Sequence, residues 1–293
     1  MEPAWLDTKE YPFTNRYLNI DGHKIHYIDE GKGDTILFVH GIPDWSFGWR
    51  EQIKMLSKNY RCVAPDHLGF GLSDKTESAE LTIAAHAERL KSFIHQLYLK
   101  NIHFVVHDFG GPIGLSYAIE EPQNIKSITL FNTWMWPLKG IKHFDTGDKV
   151  VNNWFGKFLY LQLNFSVRFM LKNSYADKKN LPAEIYNHYL APMQSREARW
   201  AAYTLAKSLV GEHTHMQYLW HQRHRLKNIP MHILWGMKDK FVPAVVLLPT
   251  WKENFPDSRF TAIENAGHFV QEEAGEVLAE EISKFIASVP EIV

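Results

Sequence analysis

Along most of the chain, apolar residues come in short runs closed by turn residues. RYLNI and HKIHYIDEG flank Asp21 and Gly22, a two-residue pair that reads as a tight hairpin. DTILFVHG, YRCVAPD, NIHFVVHD, IKSITLFNT, MHILWGMKD and RFTAIENAG follow as six further strand candidates. LTIAAHAERLKSFIHQLYL, GGPIGLSYAIEE, VVLLPTWKENF and EVLAEEISKFIASV lie between or after them and read as helices. From about Trp136 to about Leu226 the strand pattern stops, and helical and irregular segments rich in aromatics take over. Strands alternating with helices predict an α/β protein with a mostly parallel central sheet and helices on both faces. The hairpin would add antiparallel strands at one edge. The strand-free stretch reads as a helical cap inserted over the C-terminal edge of the sheet, where open α/β sheets bind ligands. The expected division is a core of residues 1–136 and 227–293 and a cap of residues 137–226.

Composition narrows the class. A chain of 293 residues can bury one large core beside a smaller subdomain. The net charge of -1 makes no electrostatic case for nucleic acid or for an anionic membrane. No apolar run approaches the roughly 20 residues that span a bilayer. MEPAWLDTKEYPF lacks the basic-then-apolar pattern of a secretion signal. The lone Cys62 excludes an internal disulfide and suits a reducing compartment. A cytoplasmic protein, monomeric or a small homo-oligomer, is expected. The histidines show no metal-binding spacing, so neither metal nor organic cofactor is implied. Ten Trp and an aromatic share of 14% fit either a large aromatic core or a dry, aromatic-lined pocket.

The candidate chemistry lies at the ends of the predicted strands. FVVHDFGGPIG runs from a buried strand through Asp108 into a glycine-rich turn and a helix. Such a turn presents its tip residue as a nucleophile, although Val106 stands where the motif G-x-S-x-G has its first glycine. An Asp that caps the following helix is the simpler alternative. Asp239 and His268 each follow another apolar run, so the order is nucleophile, acid, histidine. HGIPDWSFGWR closes a further strand. Backbone amides of Ile42 and Phe109 are the expected oxyanion donors.

Together, HGIPDWSFGWR, VAPDHLGFGLSDK, VVHDFGGPIG, WGMKD and NAGHFVQEE resemble the α/β-hydrolase superfamily. More narrowly, they resemble its Asp-nucleophile branch of haloalkane dehalogenases and epoxide hydrolases. The resemblance implies the α/β-hydrolase fold, with Asp108 as nucleophile, His268 as base and Asp239 as acid. Some members carry the acid after the strand before the cap; here that position is Thr133, which cannot serve. Two departures concern the leaving group. Dehalogenases usually carry Trp after the nucleophile and many carry Asn after the first HG, both as halide donors. This chain has Phe109 and Ile42. Trp134, Trp136 and, less directly, Asn132 are the candidate replacements, with core packing at the cap hinge as the alternative.

A carboxylate is anionic at neutral pH, with a reference pKa near ~3.9, and can displace a leaving group from saturated carbon. Attack on an ordinary ester or amide would give an anhydride, a poor intermediate. The expected reaction is therefore hydrolysis of a small apolar haloalkane through an aspartyl ester, with water as cosubstrate. An epoxide hydrolase would need acids from the cap, for which Tyr160, Tyr175, Tyr186, Tyr189, Tyr203 and Tyr218 are available. Phe109 disfavours a fluoroacetate-type enzyme, which places Arg there. A cofactor-independent luciferase-like oxygenase and a non-catalytic binding protein are the alternatives from other classes.

Overall fold

A computed structural model describes residues 3–290. The first two and last three residues of the expected core segments lie outside the described residues. Eight strands form one sheet: β1 Arg16–Ile20, β2 His23–Glu30, β3 Thr35–Val39, β4 Arg61–Pro65, β5 Ile102–His107, β6 Ile125–Phe131, β7 Met231–Gly236 and β8 Arg259–Ile263. Their order is β1-β2-β4-β3-β5-β6-β7-β8. β1 pairs β2, and β2 pairs β4, antiparallel. Every other pairing is parallel. The hairpin turn has positive φ at both Asp21 and Gly22, the requirement of a type I′ turn.

The central strands are buried from end to end: TILFV in β3, IHFVVH in β5 and MHILWG in β7. Such strands need helices on both faces. Ile83–Gln96, Gly110–Glu120, Ala244–Asn254 and Gly275–Ser288 are among those that cover the sheet. Thr82 caps the first of these, its side chain accepting from the Ala85 amide. A short helix, Arg50–Leu56, follows the HGIPDWSFGW stretch. Its polarity concealed it in sequence. Its buried Arg50 pairs with Glu272 at 2.8 Å through Nη2, tying it to the turn after His268.

Register decides which residues meet. Val39 pairs Val106, His107 pairs Phe131, Phe131 pairs Leu234, and Gly236 pairs Ile263. The C-terminal ends of β3, β5, β6, β7 and β8 are therefore level, and the turns beyond them share one edge. Between β6 and β7 the described residues form helices only, among them Lys142–Val151, Trp154–Leu163, Ala183–Leu190, Arg196–Gly211 and His213–Gln222.

Candidate active site

Asp108 follows β5 directly and has φ of 51°, the left-handed region that non-glycine residues rarely occupy. The neighbouring glycines are required by close approach. A Cβ on Gly110 would strike the Val39 carbonyl, one on Gly111 would strike Thr133, and one on Gly41 would strike the Asp108 side chain itself. Val106 is accommodated because its facing residue across the helix is Gly114, whose missing Cβ leaves space for the Val106 methyl. The small residue has moved from the strand to the helix. Thr133 Oγ1 donates to the Asp108 carbonyl at 2.6 Å and braces the turn from β6.

The Asp108 carboxylate is buried. Its Oδ2 accepts from the Ile42 amide at 2.9 Å, and the Phe109 amide also bonds the carboxylate. His268 Nε2 lies 3.7 Å from the other oxygen, Oδ1. Burial holds the Asp108 pKa above its ordinary value, against the His268 charge and the two amides, which act to lower it.

Asp239 follows β7. Its Oδ2 accepts from His268 Nδ1 at 2.7 Å and from Asn132 Nδ2 at 2.8 Å. Its Oδ1 accepts from the amides of Phe241 and Val242 at 2.7 and 2.9 Å. Burial acts to raise its pKa, but the His268 charge and these bonds outweigh it and hold the carboxyl below the usual range. For His268, burial acts to lower the pKa; Asp239, then Asp108, outweigh it and push the imidazole up to about 9. The His268 backbone is pinned as well. Its amide donates to the Ser174 carbonyl at 2.8 Å, and its carbonyl is 2.8 Å from His107 Nε2.

The three leaving-group candidates have separate surroundings. Asn132 bonds Asp239 and both the amide and carbonyl of Gly236, so its side-chain amide is fully engaged there. Trp136 packs edge-on against Trp220 and Trp251 at 5.3 and 5.1 Å, away from the cavity lining. Trp134 lines the cavity, T-shaped to Phe109 at 5.1 Å, and its buried Nε1 has no hydrogen-bond partner among the described residues. Trp49 and Trp235 also have buried Nε1 groups without a partner among the described residues, but neither lines the cavity.

These groups open into a cavity of about 300 Å³ beneath the helices that follow β6. Ile42, Asp108, Phe109, Trp134 and His268 form its floor, and residues including Phe144, Val151, Phe165, Met170 and Leu209 its walls. The six tyrosines considered as acids behave differently from one another. Tyr160 alone lines the cavity, and its hydroxyl donates to Met170 Sδ at 3.2 Å. Tyr189 donates to Glu272, and Tyr175 stacks on Phe269 at 6.0 Å. Among the described residues, no group of three or more His, Cys, Asp or Glu side chains is arranged to hold a metal ion.

Sequence reasoning missed a second buried layer. Gln271 Nε2 donates to Asp44 Oδ2 at 3.0 Å and lies 3.3 Å from His107 Nδ1. His107 in turn supports the His268 carbonyl. Asp44 and Gln271 are 227 residues apart, so nothing local in the sequence signals their meeting.

Comparison with known proteins bears on the fold and the family. The chain is 32% identical over 277 residues to haloalkane dehalogenase 2 of Mycobacterium tuberculosis, covering 93% of this chain and 95% of that one. It is 30% identical over 292 residues to the cis-3-alkyl-4-alkyloxetan-2-one decarboxylase of Shewanella oneidensis, covering 96% and 90%. The crystal structure of a haloalkane dehalogenase from Bradyrhizobium elkanii superposes with a TM-score of 0.86 at 21% identity, covering 94% of this chain and 98% of that one. A family model described as alpha/beta hydrolase fold matches residues 34–275. The chain belongs to the alpha/beta hydrolase fold family and is a hydrolase resembling the haloalkane dehalogenases.

Proposed function

We propose that this enzyme cleaves the carbon–halogen bond of a small apolar haloalkane through an ester on Asp108. One observation carries the reading. The two amides that would hold an oxyanion are directed at the carboxylate of Asp108, with Ile42 N 2.9 Å from Oδ2. In a serine hydrolase such donors face the substrate's carbonyl. Here the carbonyl they would stabilise is the enzyme's own, so the tetrahedral centre would be Asp108 Cγ.

In the first step Oδ1 displaces halide from the substrate carbon, and the C–O bond forms as the C–halogen bond breaks. In the second, water attacks Cγ, His268 Nε2 takes its proton, and negative charge collects on Oδ2 between the Ile42 and Phe109 amides. Collapse releases the alcohol and restores the carboxylate. The pKa of His268 follows the chemistry. In the free enzyme two carboxylates hold it at about 9. Ester formation removes the charge of Asp108 and with it one of the interactions that raise His268, so the imidazole loses its proton more readily and is neutral, able to accept one, when a base is needed. Asp239, held by four hydrogen bonds, fixes the Nδ1–H tautomer.

Single turnover in ¹⁸O-water tests the route. The first alcohol released should carry ¹⁶O from Asp108, and ¹⁸O should enter the carboxylate. Label in the alcohol of the first turnover would mean direct attack of water on the substrate.

The unpartnered Trp134 Nε1 is the donor we assign to the departing halide, replacing an N–H that Phe109 lacks. Trp134→Phe keeps an aromatic ring beside Phe109 while removing that donor and part of the indole's volume. A hydrogen bond to a charged group contributes about 1.5–3 kcal/mol, so kcat/KM for bromoalkanes should fall ~10–10²-fold. Unchanged kinetics would place the halide elsewhere.

A second reading has support from the relative of Shewanella oneidensis, a cis-3-alkyl-4-alkyloxetan-2-one decarboxylase. A strained ring C–O bond is another leaving group that a carboxylate could displace. A panel of bromo- and iodoalkanes, terminal epoxides and cis-dialkyl oxetan-2-ones, scored for halide, diol and carbon dioxide, separates these substrates. The epoxide reading is less favoured, because only Tyr160 lines the cavity and its hydroxyl is turned to Met170.

A further inference from the structure

The whole-chain charge of -1 conceals an uneven division. Residues 137–226 contain 13 Lys and Arg against six Asp and Glu, and the rest of the chain contains 19 against 27. The excess is concentrated between 137 and 180, where eight cations face three carboxylates, a net charge of +5. Among the described residues none of these eight cations, from Lys139 to Lys179, is ion-paired, whereas Arg196 in the same helical segment binds Glu77.

The same stretch carries apolar side chains on its outside. Trp154 is 81% exposed, Phe155 47% and Phe158 45%, in a helix whose only charged residue is Lys157. Positions i, i+1 and i+4 fall within about 100° of arc, so the three rings share one face. The apolar surface reaches the cavity mouth, because Val150 and Phe169 line the cavity and are themselves 45% and 54% exposed. Elsewhere the described surface shows exposed large hydrophobics as scattered single residues such as Tyr98 and Val245.

From this juxtaposition we propose that the Trp154–Phe158 face docks onto an anionic lipid surface, with the aromatic rings at the headgroup level and the surrounding lysines and Arg168 over the phosphates. An apolar, aromatic face in a segment with an excess of cations free of ion pairs is what peripheral binding to such a surface requires; Lys157 and Lys172 lie over the rings of Trp200 and Tyr186, which leaves their charge uncompensated. Charge decides against a second copy of this chain, since a two-fold contact would set net +5 against net +5. The interaction is peripheral, because among the described residues no helix is long and apolar enough to cross a membrane. The docked orientation turns the cavity mouth toward the lipid, so an apolar substrate dissolved there could enter without crossing water. Docking itself does not depend on which leaving group the enzyme removes.

The test is cosedimentation of the full chain with vesicles of phosphatidylglycerol and phosphatidylcholine, beside vesicles of phosphatidylcholine alone. Binding is expected to the anionic vesicles, weaker by ~10-fold or more on neutral ones and on raising salt from 0.1 to 0.5 M. Combined Trp154→Ser, Phe155→Ser and Phe158→Ser should weaken it at least ~10-fold while circular dichroism stays unchanged, since these side chains are exposed. Lys157→Glu with Arg168→Glu should weaken it independently of the aromatics. A chain that stays in the supernatant with anionic vesicles overturns the proposal, as does undiminished binding by both variants. So does a concentration-dependent dimer in sedimentation velocity that the serine variant dissolves, which would make a second copy the occupant.

Discussion

His268→Gln is expected to release one equivalent of halide per enzyme in a burst and then stop. Displacement by Asp108 needs no base, so the first half-reaction should survive. Hydrolysis of the resulting ester needs Nε2 to take a proton from water, and Gln has no group with a suitable pKa. Steady-state turnover should fall at least ~10⁴-fold, the scale seen when the base of such a constellation is removed. Rapid-quench halide assay would count the burst, and intact-protein mass would show the added alkyl group, which peptide mapping should assign to Asp108. Sustained turnover would remove His268 from the mechanism. A folded variant with no burst would instead mean that the histidine acts before the ester forms.

Asp108→Asn should abolish both steps, with a loss of halide release again of at least ~10⁴-fold. The more informative expectation concerns stability. Burial raises the pKa of Asp108 in the folded chain. As pH rises past the ordinary carboxylate range the unfolded chain therefore loses this proton first, and ionisation of the folded site costs stability. Asn accepts the Ile42 amide in the same place, presents an N–H to His268 and tolerates the positive φ. The melting temperature of Asp108→Asn at neutral pH should therefore match or exceed that of the parent, by calorimetry, although activity is gone. A clear drop would show that the charged carboxylate stabilises the fold, its contact with His268 outweighing the cost of burial.

His268 has the same sign. Its folded pKa of about 9 exceeds the unfolded value near 6.5. Protonation thus contributes stability that is complete below about pH 6.5 and is lost as pH rises toward 9. Asp239 has the opposite sign. Its folded pKa lies below the ordinary value, so its contribution is present above that value and is lost as pH falls through the folded pKa.

Much of this was legible along the chain. Six of the eight strands match apolar runs bounded by turns, and the first two match the segments flanking the Asp21–Gly22 turn. Alternation with helices implied the parallel sheet, because strands buried on both faces must be apolar throughout. Asp108, Asp239 and His268 stood out for a related reason: each lies in the turn after a strand, and level strand ends bring such turns to one edge. Asp21 and Gly22 announced their turn because few residues tolerate two successive positive φ values.

Other features depended on distant pairings. Trp134 and Trp136 are two residues apart and chemically identical, yet one reaches the cavity with a free donor and the other packs between Trp220 and Trp251. Asn132 looked like a leaving-group ligand and sits against Asp239 and Gly236. The six tyrosines after β6 were equivalent in sequence, and helix packing brought only Tyr160 to the cavity. The total charge of -1 gave no sign of a basic, aromatic surface, because a sum over the chain discards position.

The sequence by itself determined the elements, their class of arrangement and the carboxylate at the tip of the turn after β5, since these follow from short-range periodicity, turn chemistry and residue type. The tertiary structure alone decided which side chains share the cavity and which partner each polar group has. Those outcomes rest on contacts between residues tens to hundreds of positions apart, and no local pattern encodes the direction in which a side chain finally points.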